Sequence, residues 1–360
     1  MKTTLSRADT GRLALTYLGR DCEFVTNIAP LKEFVAAVFS NFINPAPSPG
    51  ATNRFSVIGK NEGVIDLNVD GRRFALDDIC PVEAVVYQQM ADWLLAGRDG
   101  FVPLHAAALS APGVGLVLAG GRGSGKSTLT AALMSFGFKL LSDDAAVVQM
   151  RGRWLHPFPR AIGLMQEDDG FKMTRGHAVA SLKMIPGGEE KTFFTPDAAA
   201  AETSATEVTH LLFLGDARPP GESAIILANK LNPERIDPAE EPVVESTEDG
   251  LAYVRLTSDG ALAEQLGACR RRGLLPLGIE PMSRERPYFR TDPKAVRLAA
   301  DEALIRLWQA LKPAALTGEN PGKLFYALGH FLRGLPAWAI SPGTPEATAR
   351  LITEITEGAR

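Results

Sequence analysis

The stretch Gly120-Gly121-Arg122-Gly123-Ser124-Gly125-Lys126-Ser127 fits the pattern G-x-x-x-x-G-K-[ST], and it constrains the fold more tightly than any other feature of the chain. Val114 to Ala119, just before it, is a short apolar run fit for a buried strand. Thr128 to Phe136, just after it, has helical composition, with Leu129 and Leu133 spaced to face inward and Gly137 placed to end the helix. Strand, glycine-rich loop and helix are the order a phosphate cradle needs. Glycines let backbone N–H groups converge on phosphate oxygens, and the helix start adds the positive end of its dipole. The segment from Gly120 through Ser124, Gly125 and Thr128 is therefore expected to wrap a nucleoside triphosphate. Lys126 would neutralise the β- and γ-phosphates, and the Ser127 hydroxyl would bind magnesium.

A second feature lies 17 residues beyond Lys126, where the short strand pattern Lys139-Leu140-Leu141-Ser142 ends in Asp143-Asp144. In α/β sheets ligands bind beyond the carboxyl ends of strands. A strand adjacent to the one feeding the loop would deliver both aspartates beside the triphosphate. Two carboxylates there can divide the work: one holds magnesium while the other orients and deprotonates an attacking hydroxyl. The competing explanation is an acidic turn ahead of the strand pattern Ala145 to Met150. Upstream, His105 sits on a strand in Pro103-Leu104-His105-Ala106-Ala107, where a histidine among apolar residues is ordinarily a satisfied core residue. His156, His177, His210 and His330 show no metal-ligand spacing.

Composition narrows the partners. The chain has 360 residues, 45% hydrophobic and 22% charged, with formal net charge −4: ordinary soluble globular values, with length for two domains. No long Lys/Arg run offers a nucleic-acid footprint, and Arg270-Arg271-Arg272 suits a helix C-terminus. Cys22, Cys80 and Cys269 are scattered and form no Cys-x-x-Cys pair, so neither zinc nor a disulfide framework is indicated. Phe101 to Gly121 lacks Asp, Glu, Lys and Arg, yet Pro103, Pro112, Gly113, Gly115, Gly120 and Gly121 interrupt it. It reads as buried strands joined by a turn at Ala111-Pro112-Gly113, not as a membrane span. Met1 to Arg12 has no apolar segment of a signal peptide, and the protein is expected to be cytoplasmic.

Residues 1–98 read as a separate α+β lobe. Leu31 to Phe42 has helical apolar spacing, and the loop Asn44 to Asn53 follows. Val64–Val69 and Arg72–Leu76 flank Asp70-Gly71 as a hairpin signal, and a helix is predicted from Pro81 to Ala96. Residues 99–360 form the second domain, with 231–325 as a helical insertion. Helical patterns cover Asp259 to Arg272, Pro293 to Leu311, Lys323 to Leu332 and Pro345 to Thr356, and a strand pattern covers Pro336 to Ile340.

Taken together, His105, the loop Gly120 to Ser127 and Gly137-Phe138-Lys139-Leu140-Leu141-Ser142-Asp143-Asp144 resemble the HPr serine kinase/phosphorylase family. The core of that family is similar to phosphoenolpyruvate carboxykinase. The closer likeness is to HPr-kinase-related bacterial proteins with an N-terminal lobe, a branch that Leu155-His156-Pro157-Phe158-Pro159-Arg160 also resembles. The resemblance covers residues 101–165, with a fainter one over Pro336 to Ile355. It implies an α/β fold with a P-loop kinase core and mixed sheet, and ATP and magnesium as cofactors. It makes Lys126 and Ser127 the phosphate and magnesium ligands, Asp143 the general base assisted by His105, and Asp144 a magnesium contact. Arg160 is a candidate phosphate-contacting arginine. Two departures stand out: Ala106 follows His105 where the family usually has glycine, and the family's C-terminal signature is missing. The missing signature puts both HPr as substrate and the reverse phosphorolysis reaction in doubt.

The expected activity is ATP-dependent transfer of the γ-phosphoryl group to a hydroxyl, foremost serine of a peptide or small protein. Related kinases are oligomers, so a homo-oligomer is possible. A nucleotide-binding regulatory module and a small-molecule kinase are the alternatives. A transport ATPase fits poorly, because no Leu-Ser-Gly-Gly motif occurs.

Overall fold

Alternating apolar residues build the first sheet. Leu15 and Tyr17 on strand β1 (Gly11–Tyr17), Cys22 and Phe24 on β2 (Arg20–Thr26), and Phe55 and Val57 on β3 (Asn53–Gly59) are all buried. The computed structural model describes residues 10–45, 53–60, 64–76, 82–121, 124–165, 176–183, 190–215, 223–227, 244–246, 252–255, 276–281, 292–316 and 320–358. Strands β4 (Ile65–Val69) and β5 (Arg72–Leu76) complete that sheet in the order β1-β2-β3-β4-β5, parallel only between β2 and β3. The predicted hairpin is present: Asp70 and Gly71 both take positive φ, 47° and 88°, as a two-residue turn of the I′ kind needs. Helix α1 spans Ala29–Val38 and stops short of the expected Phe42, because Ser40–Phe42 tightens into a 3-10 turn. Helix α2 runs Val82–Leu95; Pro81, its expected first residue, lies outside the described residues.

The chain divides into two units, and not as two consecutive stretches. One holds Met1–Leu94, Ala180–Glu190 and Ile225–Gly278; the other holds Leu95–Val179, Lys191–Ala224 and Ile279–Arg360. The first boundary falls four residues before the expected one. Within 231–325 the described residues are not only helical. They include strands β18 (Val244–Ser246), β19 (Ala252–Arg255), β20 (Pro276–Pro281) and β21 (Lys294–Arg297) beside helix α4 (Ala300–Gln309). The predicted helix Asp259 to Arg272 lies outside the described residues.

The second unit carries the glycine-rich loop. Its strands are β6 (Phe101–Leu104), β7 (Ala106–Ala111), β8 (Val114–Gly120), β9 (Lys139–Ser142), β10 (Ala146–Gln149), β11 (Trp154–His156) and β12 (Ile162–Met165). After these come β14 (Glu190–Pro196), β15 (Thr206–Glu207), β16 (His210–Leu214) and β22 (Ala337–Ser341), with helices α3 (Lys126–Ser135), α5 (Pro321–Leu332) and α6 (Pro345–Gly358). Two further strands of the chain are β13 (Gly176–Lys183) and β17 (Ser223–Leu227).

A six-stranded mixed sheet in the order β21-β22-β16-β8-β7-β9 holds the loop at its centre. Strands β22, β16 and β8 are parallel, and β7 is antiparallel to both β8 and β9. Leu116 and Leu118 of β8 and Leu212 of β16 pack with Leu129 and Leu133 of α3 and Ala349 and Ile352 of α6. A core of this kind supplies most of the stability of such a layered unit. The architecture is thus α/β with mixed sheets.

Two local expectations need correction. Strand β9 is not adjacent to β8, since β7 lies between them as the other half of a hairpin with β8. Two antiparallel steps leave β9 parallel to β8, so its carboxyl end still emerges on the loop's side of the sheet. The pattern from Pro293 to Leu311 is not one helix. Lys294–Arg297 pairs antiparallel with β22, and α4 begins only at Ala300, with Asp301 and Glu302 in its first turn favouring the helix dipole.

Candidate functional site

Two glycines show why the loop is written as it is. Gly125 precedes α3 with φ 86°, a left-handed conformation that costs an L-residue about 1–2 kcal/mol. A Cβ on Gly120 would come within 2.6 Å of Ser124 Oγ and 3.0 Å of Leu214 Cβ, so the loop can fold back over β8 only without a side chain there. Helix α3 starts at Lys126 itself, which aims its first N–H groups and the positive end of its dipole into the loop. Lys126 is buried, and its Nζ donates to Gly120 O at 2.7 Å and Gly121 O at 2.9 Å. Ser127 and Thr128 follow in the first turn of α3. Arg122 and Gly123 lie outside the described residues.

The acidic pair sits directly after β9, and its two carboxylates face different neighbours. Asp143 is buried; its Oδ2 accepts from Ser127 Oγ at 3.2 Å. Asp143 Oδ1 is buried too and meets no hydrogen-bond partner among the described residues, as is true of Ser124 Oγ in the loop. Asp144 faces cations: Arg160 Nη2 lies 2.7 Å and Lys312 Nζ 3.2 Å from the same oxygen, Oδ2. His105 Nε2 is 3.3 Å from Asp144 Oδ1. His105 is not on a strand, as predicted, but at the break between β6 and β7, where the chain passes from one sheet to the next.

This cluster is strongly polarised. Burial pushes the Asp143 carboxyl up to about 6, with the neighbouring Asp144 charge adding to the rise and Lys191 and Arg160 opposing it. Burial also works against the Asp144 charge, but Lys312, His105, Arg160 and Lys126 outweigh it and hold that carboxyl well below its ordinary value. Burial, then Lys126, pulls His105 down to about 3, so its imidazole is neutral at physiological pH. Perturbed groups of opposite direction, side by side, are what functional sites accumulate.

The structure therefore brings His105, Lys126, Ser127, Asp143, Asp144 and Arg160 together. It adds Lys312, which the sequence reading passed over. Its register is set by pairing: Leu311 bridges Leu104, His105 N donates to Ala310 O at 2.6 Å, and Lys312 N donates to Pro103 O at 3.0 Å. The one local signal was a lysine inside the otherwise apolar run Leu311 to Leu316. Arg160, the other buried cation on Asp144, is fully buried despite its charge.

The residues suit a phosphate ligand with a divalent cation. Among the described residues no group of three His, Cys, Asp or Glu side chains forms a ready metal cage. A magnesium ion here would rest on Ser127, one carboxylate and the oxygens of a bound phosphate, which is how magnesium is usually held beside nucleotides. The unsatisfied Ser124 and Asp143 oxygens are consistent with that. A cleft of about 580 Å³ lies elsewhere, at the far end of β10, lined by Arg151, Arg153, Tyr326 and His330 among others. Among the described residues no helix is long and apolar enough to cross a membrane. No protein-family model matches the chain, and no curated protein matches it.

Proposed function

We propose that the chain is an ATP- and magnesium-dependent kinase that moves the γ-phosphoryl group to a hydroxyl, foremost serine of a peptide or small protein. The observation that carries this reading is that, at the end of β9, the α3 N-terminus meets Asp143 through Ser127 while Arg160 and Lys312 meet Asp144, with buried Lys126 in the adjoining loop. Three buried cations facing two carboxylates, among the described residues, make a low-dielectric place for an anion of high charge. The second carboxylate beyond the one at Ser127 favours transfer to a hydroxyl over a nucleotide switch, which has no use for a base.

The proposed roles divide among these groups. Lys126 neutralises the β- and γ-phosphates, and loop N–H groups from Gly120 to Thr128 orient them. Ser127 and Asp143, already in contact, would hold magnesium, which supplies charge neutralisation at the phosphates. That reverses the division expected from the resemblance, where Asp144 took the metal and Asp143 the base. Two cations already sit on Asp144, and a third beside them would be repelled. Asp144 is thereby left to face the acceptor, with His105 steadying its other oxygen. A weak base suffices there, because the proton leaves late in a loose transition state. The acceptor class rests on the resemblance alone.

The test is transfer from [γ-32P]ATP to a library of serine-containing peptides. Wild type is expected to label a subset, while Asp144→Asn binds ATP and labels none. Full transfer by Asp144→Asn would remove the base assignment. A wild type that binds ATP but labels neither peptides nor small hydroxyl compounds would favour the regulatory module.

A further inference from the structure

We infer that Lys312 is a catalytic residue, the cation that leaves Asp144 to meet the transferred phosphoryl group; this rests on the kinase reading above. Lys312 Nζ shares one carboxylate oxygen, Asp144 Oδ2, with the Arg160 guanidinium. The two are not equivalent. Arg160 is the nearer, at 2.7 Å against 3.2 Å, and its planar fork matches a carboxylate, so it is the cation suited to stay. Lysine is a compact point charge on a flexible stem and can change partners with little rearrangement. Its backbone, in contrast, is pinned to β6 by the bridge from Leu311 to Leu104 and the bond from Lys312 N to Pro103 O. A fixed backbone with a movable charge is what a transition-state cation requires.

Position separates Lys312 from the loop lysine. Lys126 is already engaged inside the loop by the Gly120 and Gly121 carbonyls, the place from which a loop lysine meets the β- and γ-phosphates. Lys312 reaches Asp144 from the segment that also holds the His105 backbone. In the step, the acceptor oxygen forms a bond to the γ-phosphorus while the bond to the β,γ-bridging oxygen breaks. The electron pair of that bond leaves with ADP, and the hydroxyl proton passes to Asp144. Lys312 then stands between the base and the equatorial phosphoryl oxygens, where negative charge is spread in the transition state.

The experiment uses the full chain with ADP, magnesium and aluminium fluoride, a mimic of the transferring phosphoryl group that needs no acceptor. MgATP affinity and aluminium-fluoride trapping of labelled ADP are measured for wild type, Lys312→Met, Lys312→Gln and Lys312→Arg. The Met and Gln variants are expected to bind MgATP within about threefold of wild type, yet trap the ADP complex about 100-fold more weakly, the scale of losing one transition-state donor. Lys312→Arg should recover at least a tenth of the trapping. Trapping equal to wild type in either neutral variant overturns the proposal, as does a parallel loss of MgATP binding, which marks a structural role. If Lys312→Met does not fold, Gln against Arg decides in the same way. Wild type that binds no MgATP at all refutes the kinase reading itself, an outcome separate from these.

Discussion

Ser127 Oγ lies 3.2 Å from Asp143 Oδ2, which ties the residue after the loop lysine to the first carboxylate after β9. The next carboxylate, Asp144, looks away from this contact toward Arg160, Lys312 and His105. One backbone step thus separates a carboxylate that meets a hydroxyl from one that meets two cations and an imidazole.

If Asp143 is the metal-side carboxylate, magnesium dependence resides in it. Wild type is expected to bind ATP more tightly with magnesium than with excess chelator. Asp143→Asn should bind ATP with the same affinity in both conditions, read by calorimetric titration. A variant that keeps the full magnesium enhancement would return the metal to Asp144.

Asp143 also carries a stability cost. Its carboxyl is raised from 3.8 to about 6, so between those values the folded chain holds more protons than the unfolded one, and stability falls as pH rises through that window. Asp143→Asn removes the cost. Without ligands, the variant should be more stable than wild type by about 3 kcal/mol above pH 7, a rise of several degrees in midpoint. The difference should vanish below pH 4. An Asn variant less stable than wild type at pH 8 would contradict this.

His105 has the opposite sign. Its pKa falls from 6.5 to about 3, so in that interval the unfolded chain binds the extra proton and stability is lost as pH drops. His105→Gln should lose less on acidification, by on the order of 1–2 kcal/mol between pH 7 and pH 5. Denaturant midpoints at the two pH values measure it. Equal acid sensitivity in both proteins would mean the histidine is solvated.

The loop glycines make a separate prediction. Gly125→Ala forces φ 86° on an L-residue and should cost about 1–2 kcal/mol, or else displace the loop. Gly120→Ala meets Ser124 and Leu214 instead, and should weaken ATP binding at least about tenfold while shifting the melting midpoint little. Unchanged ATP affinity in Gly120→Ala would mean that the close approach of the loop is incidental.

What was legible in the sequence was what must be encoded locally. The turn into α3 needs Gly125 in its left-handed conformation and Gly120 without a Cβ, so this loop is written in neighbouring residues. The Asp70-Gly71 hairpin was readable for the same reason. Lys312 was not, because it reaches Asp144 only through the pairing of Leu311 with Leu104, a contact between distant segments. Strand β21 was misread for a similar reason: Lys294-Ala295-Val296-Arg297 is compatible with a helix, and only its partner β22 makes it a strand. The position of β9 depended on β7 folding back on β8, a choice of neighbour that apolar runs do not specify. The different partners of Asp143 and Asp144 lie in side-chain direction, to which the order of residues is blind.

The most direct measurement is calorimetric titration of MgATP into wild type, Lys126→Ala and Asp144→Asn. The account predicts one site in wild type, affinity lost by at least about 100-fold in Lys126→Ala, and near-normal binding in Asp144→Asn. Undiminished binding by Lys126→Ala, or none by wild type, would contradict it.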